Sequence, residues 1–160
     1  MTGDLSFKVE ERQFPELKVM YIPVTVPHAE MRQTRGYFMK LGLHAFARRG
    51  KATGDVFIRY VGETEETIEM EVCFGVEKFL PETKDIKAKT IEAYDGKFAV
   101  GYYKGPREEL IDVYVAMGKW FTEQGLQRSG GPLIEYFLND TRKFPASELL
   151  TELHWPLLSF

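Results

Sequence analysis

Apolar and polar residues alternate from Phe7 to Gln13, as they do along a half-exposed strand. Pro15 ends that run. Leu17 to Val26, rich in Val, Ile and Tyr, predicts a second strand, and Pro23 within it suggests an edge or a bulge. From Ala29 to Arg49 the period becomes helical. Met31, Thr34, Phe38, Leu41 and Ala45 share a face that Met39, Leu43 and Phe46 widen, and Gly50 is placed to cap the C-terminus. Asp55 to Val61 and Thr67 to Val76 predict an antiparallel pair. The acidic stretch Gly62 to Glu66 between them reads as a solvated turn.

A connector containing Pro81 follows. Ile86 to Tyr94 and Lys97 to Lys104 flank Asp95-Gly96, a strong hairpin signal. The second helix starts at Pro106, with Glu108 and Glu109 at its electropositive end. Leu110, Val113, Met117 and Trp120 form its apolar stripe, with Tyr114 and Phe121 beside it, and Gly125 closes it. Two last strands are expected over Pro132 to Leu138 and Leu149 to Leu157.

These elements repeat. The strand Val19 to Val26 corresponds to Ala99 to Lys104, and the helix after each corresponds to the other. Gly54 to Tyr60 matches Gly131 to Phe137, and Glu69 to Phe74 matches Leu150 to Trp155. The match lies in pattern more than in identity, yet internal repetition constrains a fold strongly. A βαββ unit has one helix for three strands and cannot close a core alone. The expected fold is therefore α+β: two pseudo-symmetric βαββ modules, about 17–77 and 97–158, forming an antiparallel sheet with two main helices and a central ligand groove.

The repeat also aligns single positions. Glu135 takes the place of Ile58, and Phe137 that of Tyr60. Leu133, Glu135 and Phe137 share one strand face, so an acid stands where the other half has an isoleucine.

Composition narrows the chemistry. The 160 residues are 44% hydrophobic, enough for a proper core, and 14% aromatic. A net charge of −3 disfavours direct nucleic-acid binding, which draws on clustered Lys and Arg. One cysteine, Cys73, allows neither an internal disulfide nor a Cys-based zinc site. His28, His44 and His154 show no metal-ligand spacing, and His154 on a strand is a poor candidate for a haem ligand. Neither a signal-peptide pattern nor an apolar run of about 18 residues is present, so a cytoplasmic protein without membrane association, metal or cofactor is expected.

Four segments carry a family likeness: Tyr94-Asp95-Gly96-Lys97-Phe98-Ala99-Val100; Tyr103-Lys104-Gly105-Pro106 entering a helix; Gly131-Pro132-Leu133-Ile134-Glu135-Tyr136-Phe137-Leu138-Asn139-Asp140; and Leu150-Thr151-Glu152-Leu153-His154-Trp155-Pro156-Leu157. Their order and spacing resemble the GyrI-like (gyrase-inhibitor-like) small-molecule-binding family, akin to effector-binding domains of multidrug-responsive transcription regulators. The resemblance implies one such domain over 1–160, with a hydrophobic pocket for bulky, often cationic compounds. The family's pocket glutamate corresponds to Glu135. Many members carry Tyr two positions later, where this chain has Phe137 and lacks the hydroxyl.

The expected ligand is thus a lipophilic cationic aromatic molecule. A carboxylate in an apolar groove is costly to desolvate, and a delocalised cation relieves that cost while lying against rings. The candidate ligand-binding residues are Glu135, Tyr103, Trp155, Phe137, Tyr60 and Trp120. Only six residues precede Phe7, so a stand-alone binder is expected, without a DNA-reading segment. The resemblance implies two alternatives. One is a hydrolase of strained cyclopropane-bearing cytotoxins, with Glu135 as general base. The other is an interaction protein whose partner is DNA gyrase or a regulator.

Overall fold

The computed structural model describes residues 1–158; the last two residues of the expected 1–160 domain lie outside them. The fold is α+β, with eight strands and two α-helices among the described residues. In order these are β1 (Asp4–Phe14), β2 (Leu17–Pro27), α1 (Arg35–Ala47), β3 (Ala52–Glu63), β4 (Thr67–Val76), β5 (Lys87–Ile91), β6 (Tyr94–Lys104), α2 (Leu110–Glu123), β7 (Leu133–Phe137) and β8 (Leu150–Pro156). Two compact units result, one of residues 13–94 and the other of residues 1–12 with those from Asp95 onward.

In the unit of residues 13–94 the strands lie in the order β3-β4-β2-β5, and in the other unit β7-β8-β6-β1. The repeat is therefore visible as geometry. β3, β4 and β2 keep the lateral order of β7, β8 and β6, and each set gains a fourth strand beside β2 or β6. Register agrees: Ile58 stands opposite Val72, and Glu135 opposite Leu153. The pairings are antiparallel.

In the first of these units, alternation along β2 buries Met20, Ile22 and Val24 while Pro23 and Thr25 face water. Pro23 has no N–H for a second neighbour, and β5 covers β2 only from Leu17 to Tyr21. The proline thus sits beyond the doubly paired stretch, opposite Glu71 of β4.

Four sequence expectations are corrected here. The first helix begins at Arg35, not Ala29, because Met31 and Gln33 bond back to His28 and Glu30 in tight three-residue turns. Its inward face is Leu41, His44 and Ala45, whereas Met39, Leu43 and Phe46 point outward, Phe46 at 83% exposure. His44 is satisfied, donating to the Pro81 carbonyl at 2.8 Å. The left-handed residue after α1 is Arg49, with φ of 52°, and not Gly50. Gly50 instead admits Leu80, whose Cδ2 would lie 2.9 Å from an added Cβ. Finally, Asp95-Gly96 forms no hairpin. Both residues lie inside β6, and β5 pairs with β2. A two-residue turn signal fixes no partner, and here the competing strand pairings prevail.

In the second unit, α2 packs Leu110, Val113 and Met117 against Ala99, Tyr103, Leu153, Trp155 and Leu157. Full burial of each large aliphatic contributes about 1.5–3 kcal/mol. Gly101 makes the approach possible, since a Cβ there would meet the Met117 sulfur at 3.0 Å. Gly125, at φ of 66°, ends the helix as expected.

Candidate functional site

The site follows from register. Tyr103 and Phe137 both stand opposite Thr151, Glu135 opposite Leu153, and Ala99 opposite Trp155. Directly opposed residues share a face, so Tyr103, Thr151, Trp155, Glu135 and Phe137 all belong to the side of β6, β8 and β7 that α2 covers.

Glu135 is completely buried, with 0% exposure. From α2, the Tyr114 hydroxyl donates to its Oε1 at 2.8 Å. Tyr114 also stacks on Trp155 at 6.3 Å between ring centroids, and Phe121 meets Trp155 edge-on at 5.4 Å. Over Phe137 lies Arg107, its Cζ 4.4 Å from the ring centroid. Burial lowers the basicity of this guanidinium, while the charges of Glu135 and Asp140 act in the opposite sense. Arg107 donates through Nη2 to the Asn139 carbonyl at 2.8 Å, and its buried Nε has no hydrogen-bond partner.

Two further polar atoms on residues of this face are buried without a partner: the Trp155 indole N–H and the Thr151 hydroxyl. Buried polar groups in folded proteins are nearly always paired. Both residues lie on the face that carries the enclosed carboxylate.

The remaining expected residues have partners of their own. Tyr103 is buried and hydrogen-bonded to the Glu109 carboxylate. Glu109 also accepts from the Thr2 N–H at 3.0 Å and the Thr2 hydroxyl at 2.9 Å. Gly3 and Gly105 enclose the Tyr103 side chain so closely that a Cβ on Gly3 would lie 2.6 Å from its ring and one on Gly105 2.7 Å from its hydroxyl. Burial, then the Glu109 bond, pushes the Tyr103 phenol up to about 12. Trp120 is half-buried and stacks on Phe7 at 5.3 Å. Tyr60 belongs to the other unit, where Arg32 donates to its hydroxyl at 2.6 Å.

Tyr114 and Arg107 are the residues touching Glu135 and Phe137 that sequence reasoning missed. Tyr114 stood beside the helical stripe, one turn after Leu110, with nothing to pair it with a strand acid. Arg107 carried a usable signal. It is a cation at the positive end of a helix, where the dipole disfavours it, and such a residue needs another reason to be there.

On the opposite face, β1, β6 and β8 carry a polar network. Arg12 pairs with Glu152 at 2.8 Å and Glu10 at 3.0 Å and donates to Tyr102 at 2.7 Å. His154, buried, lies 3.0 Å from Glu152 and stacks on Tyr136. Cys73 is buried, and burial pushes its thiol up to about 12. Among the described residues no cluster of metal-binding side chains occurs, and no helix is long and apolar enough to cross a membrane. A hollow of about 290 Å³ lies between Val9, Lys97, Gln127 and Leu157, and none of the candidate site residues lines it.

Comparisons with known proteins meet this geometry. The chain superposes on EcmrR in its DNA complex with a TM-score of 0.73 at 17% identity, over 96% of this chain and 58% of that one. On the EcmrR C-terminal domain alone the TM-score is 0.72 at 20% identity, with both chains covered in full. SAV2435, in a structure bound to tetraphenylphosphonium, gives 0.63 at 10% identity over 95% and 94%. A hydrolase from Listeria innocua gives 0.59 at 15% identity over 94% and 92%. At these identities the likeness is one of fold. No curated protein matches the sequence significantly. A family profile, the GyrI-like small molecule binding domain, matches residues 7–158. The chain therefore belongs to the GyrI-like small-molecule-binding family.

Proposed function

We propose that this domain binds bulky lipophilic cations of aromatic character, with Glu135 as the charge partner and Phe137 and Trp155 as apolar walls. One observation carries the reading: a fully enclosed carboxylate on a ring-bearing face, opposite a helix that supplies a neutral hydroxyl. A carboxylate among rings attracts an organic cation without needing directional bonds. Each ring beneath such a cation adds about 0.5–2 kcal/mol. Affinity gathered this way depends little on ligand shape, which favours broad selectivity. The tetraphenylphosphonium held by SAV2435 supports the ligand class and supplies a probe.

The test is calorimetric titration with tetraphenylphosphonium. Binding should weaken at least tenfold in Glu135→Gln, and equal affinity in that variant would remove the charge argument. A regulatory setting like that of EcmrR, and partners such as DNA gyrase, belong to the same proposal and are read by pull-down in the presence of ligand.

A hydrolytic reading has one observation of its own, the Tyr114–Glu135 pair. There a carboxylate beside a hydroxyl donor would take the proton of a water whose oxygen bonds to a cyclopropane carbon. The strained carbon–carbon bond breaks as that bond forms, and its electron pair passes to the electron-accepting group conjugated with the ring. Incubation with a strained cyclopropane electrophile, followed by mass spectrometry, decides it. Turnover beyond one equivalent supports catalysis, and recovery of unchanged compound removes it.

A further inference from the structure

We infer that the outward face of α1 docks against the outward face of α2 of a second copy of this chain, the two helices antiparallel, so that the protein self-associates in solution. The inference does not rest on the proposed ligand.

Helix α1 has two apolar faces and a cover for one of them. Leu41, His44 and Ala45 pack inward, whereas Met39, Leu43 and Phe46 form a stripe at i, i+4 and i+7 on the other side, 55%, 65% and 83% exposed. A helix that is apolar all round is normally buried all round. Two glycines add to this. Gly36 and Gly42 stand inside the helix, where glycine is destabilising relative to alanine, and a Cβ on either would meet nothing within 4 Å. Packing among the described residues does not require their smallness. A second helix lying close over α1 does.

Charge identifies that second helix. Met31 to Gly54 holds six cations and no carboxylate. The connector 77–87 beside it is balanced, three of each sign, and its Asp85 pairs with Lys40 at 2.7 Å. The rest of the chain carries twelve cations against twenty-one carboxylates. Two α1 faces laid together would set Arg35, Arg48 and Arg49 of one copy against those of the other, so self-pairing of α1 is opposed. Helix α2 supplies the complement. Its outward positions carry Ile111 and Val115, 57% and 70% exposed, among Glu108, Asp112, Lys119 and Glu123. Among the described residues, none of Arg35, Arg49, Glu108, Asp112 and Glu123 takes part in an ion pair.

The two helices also match in length, 13 and 14 residues or about 20 Å each. Antiparallel docking brings Arg48 and Arg49, past the end of α1, to Glu108 and Asp112 at the start of α2. Arg35 then meets Glu123 at the far end, and the apolar side chains meet between them. The parallel arrangement would leave two cations facing one carboxylate.

The experiment is sedimentation velocity on the full chain over a micromolar concentration series, at low and high salt. At low salt the weight-average mass should rise above 18.5 kDa with concentration, and high salt should reverse the rise. A mass that levels at two copies marks a closed pair and one that keeps growing an open chain, and either supports the docking. Phe46→Gln should weaken association at least tenfold. Arg48→Glu/Arg49→Glu and Glu108→Lys/Asp112→Lys should each be monomeric alone, and an equimolar mixture of the two should associate again, a recovery that misfolding cannot produce. A wild-type chain that stays monomeric overturns the proposal, and so does a mixture that fails to associate where wild type does. Co-sedimentation of a monomeric wild type with phosphatidylglycerol vesicles, lost in Phe46→Gln, would assign the face to a lipid surface and overturn it as well.

Discussion

The hydroxyl of Tyr114 and the carboxylate of Glu135 are joined by a 2.8 Å hydrogen bond that ties α2 to β7. The bond satisfies one oxygen of a group with no access to water. Tyr114→Phe deletes the donor and leaves the acceptor buried, which costs about 1–3 kcal/mol. Urea denaturation should show that loss as a lower midpoint with an unchanged slope.

Tyr103 should make the fold sensitive to alkali. Its phenol titrates near 12 in the folded chain against about 10 when unfolded. Below pH 10 both states hold the proton and its contribution is complete. Between about 10 and 12 the unfolded chain loses the proton first, so stability falls as pH rises. Tyr103→Phe should flatten this part of the profile, measured by urea melts from pH 9 to 11.5. Cys73, also raised, contributes a slope that the variant leaves in place.

Acid should act on the opposite face. The bond from His154, and then Arg12, holds the Glu152 carboxyl below the usual glutamate range, although burial works against this. A depressed carboxyl gives stability that is whole above the ordinary glutamate value and is lost as pH falls through the lowered one. Arg12→Gln removes part of the depression and should move acid unfolding to higher pH. Circular dichroism during acid titration checks it, and an unmoved midpoint would mean that Arg12 contributes nothing.

Helix α1 offers a sharp contrast between two apolar residues. Phe46 lies on the outward face at 83% exposure, while Leu41 is buried at 1%. Phe46→Gln should change stability by less than about 0.5 kcal/mol, and Leu41→Ala should cost about 2–5 kcal/mol. Paired thermal melts distinguish these outcomes directly.

The difference between Phe46 and Leu41 also shows where sequence reasoning reaches its limit. Apolar spacing located both helices and all eight strands, since burial on one face imposes a period that composition cannot hide. Along α1, however, eight apolar positions compete for one covered face, and only packing decides among them. The repeat was legible because the order strand, helix, strand, strand recurs with similar apolar patterning, and it correctly paired Glu135 with Ile58. Asp95-Gly96 misled because a local turn preference says nothing about distant partners. The Tyr114–Glu135 bond, the Arg107 stack and the enclosure of Tyr103 by Gly3 and Gly105 all join residues whose spacing encodes no distance. Those contacts exist only once register is set.

Strand β1 has a consequence for synthesis. It lies beside β6, yet some eighty residues separate the two in the chain, and those residues form the other unit. On a ribosome adding roughly 5–20 residues per second, β1 emerges early and waits for seconds with neither edge matched. Its lysine, arginine and glutamate side chains keep that waiting ribbon wettable. Nascent chains in which those charges are neutralised should therefore suffer more premature aggregation, although the finished domain would be little altered.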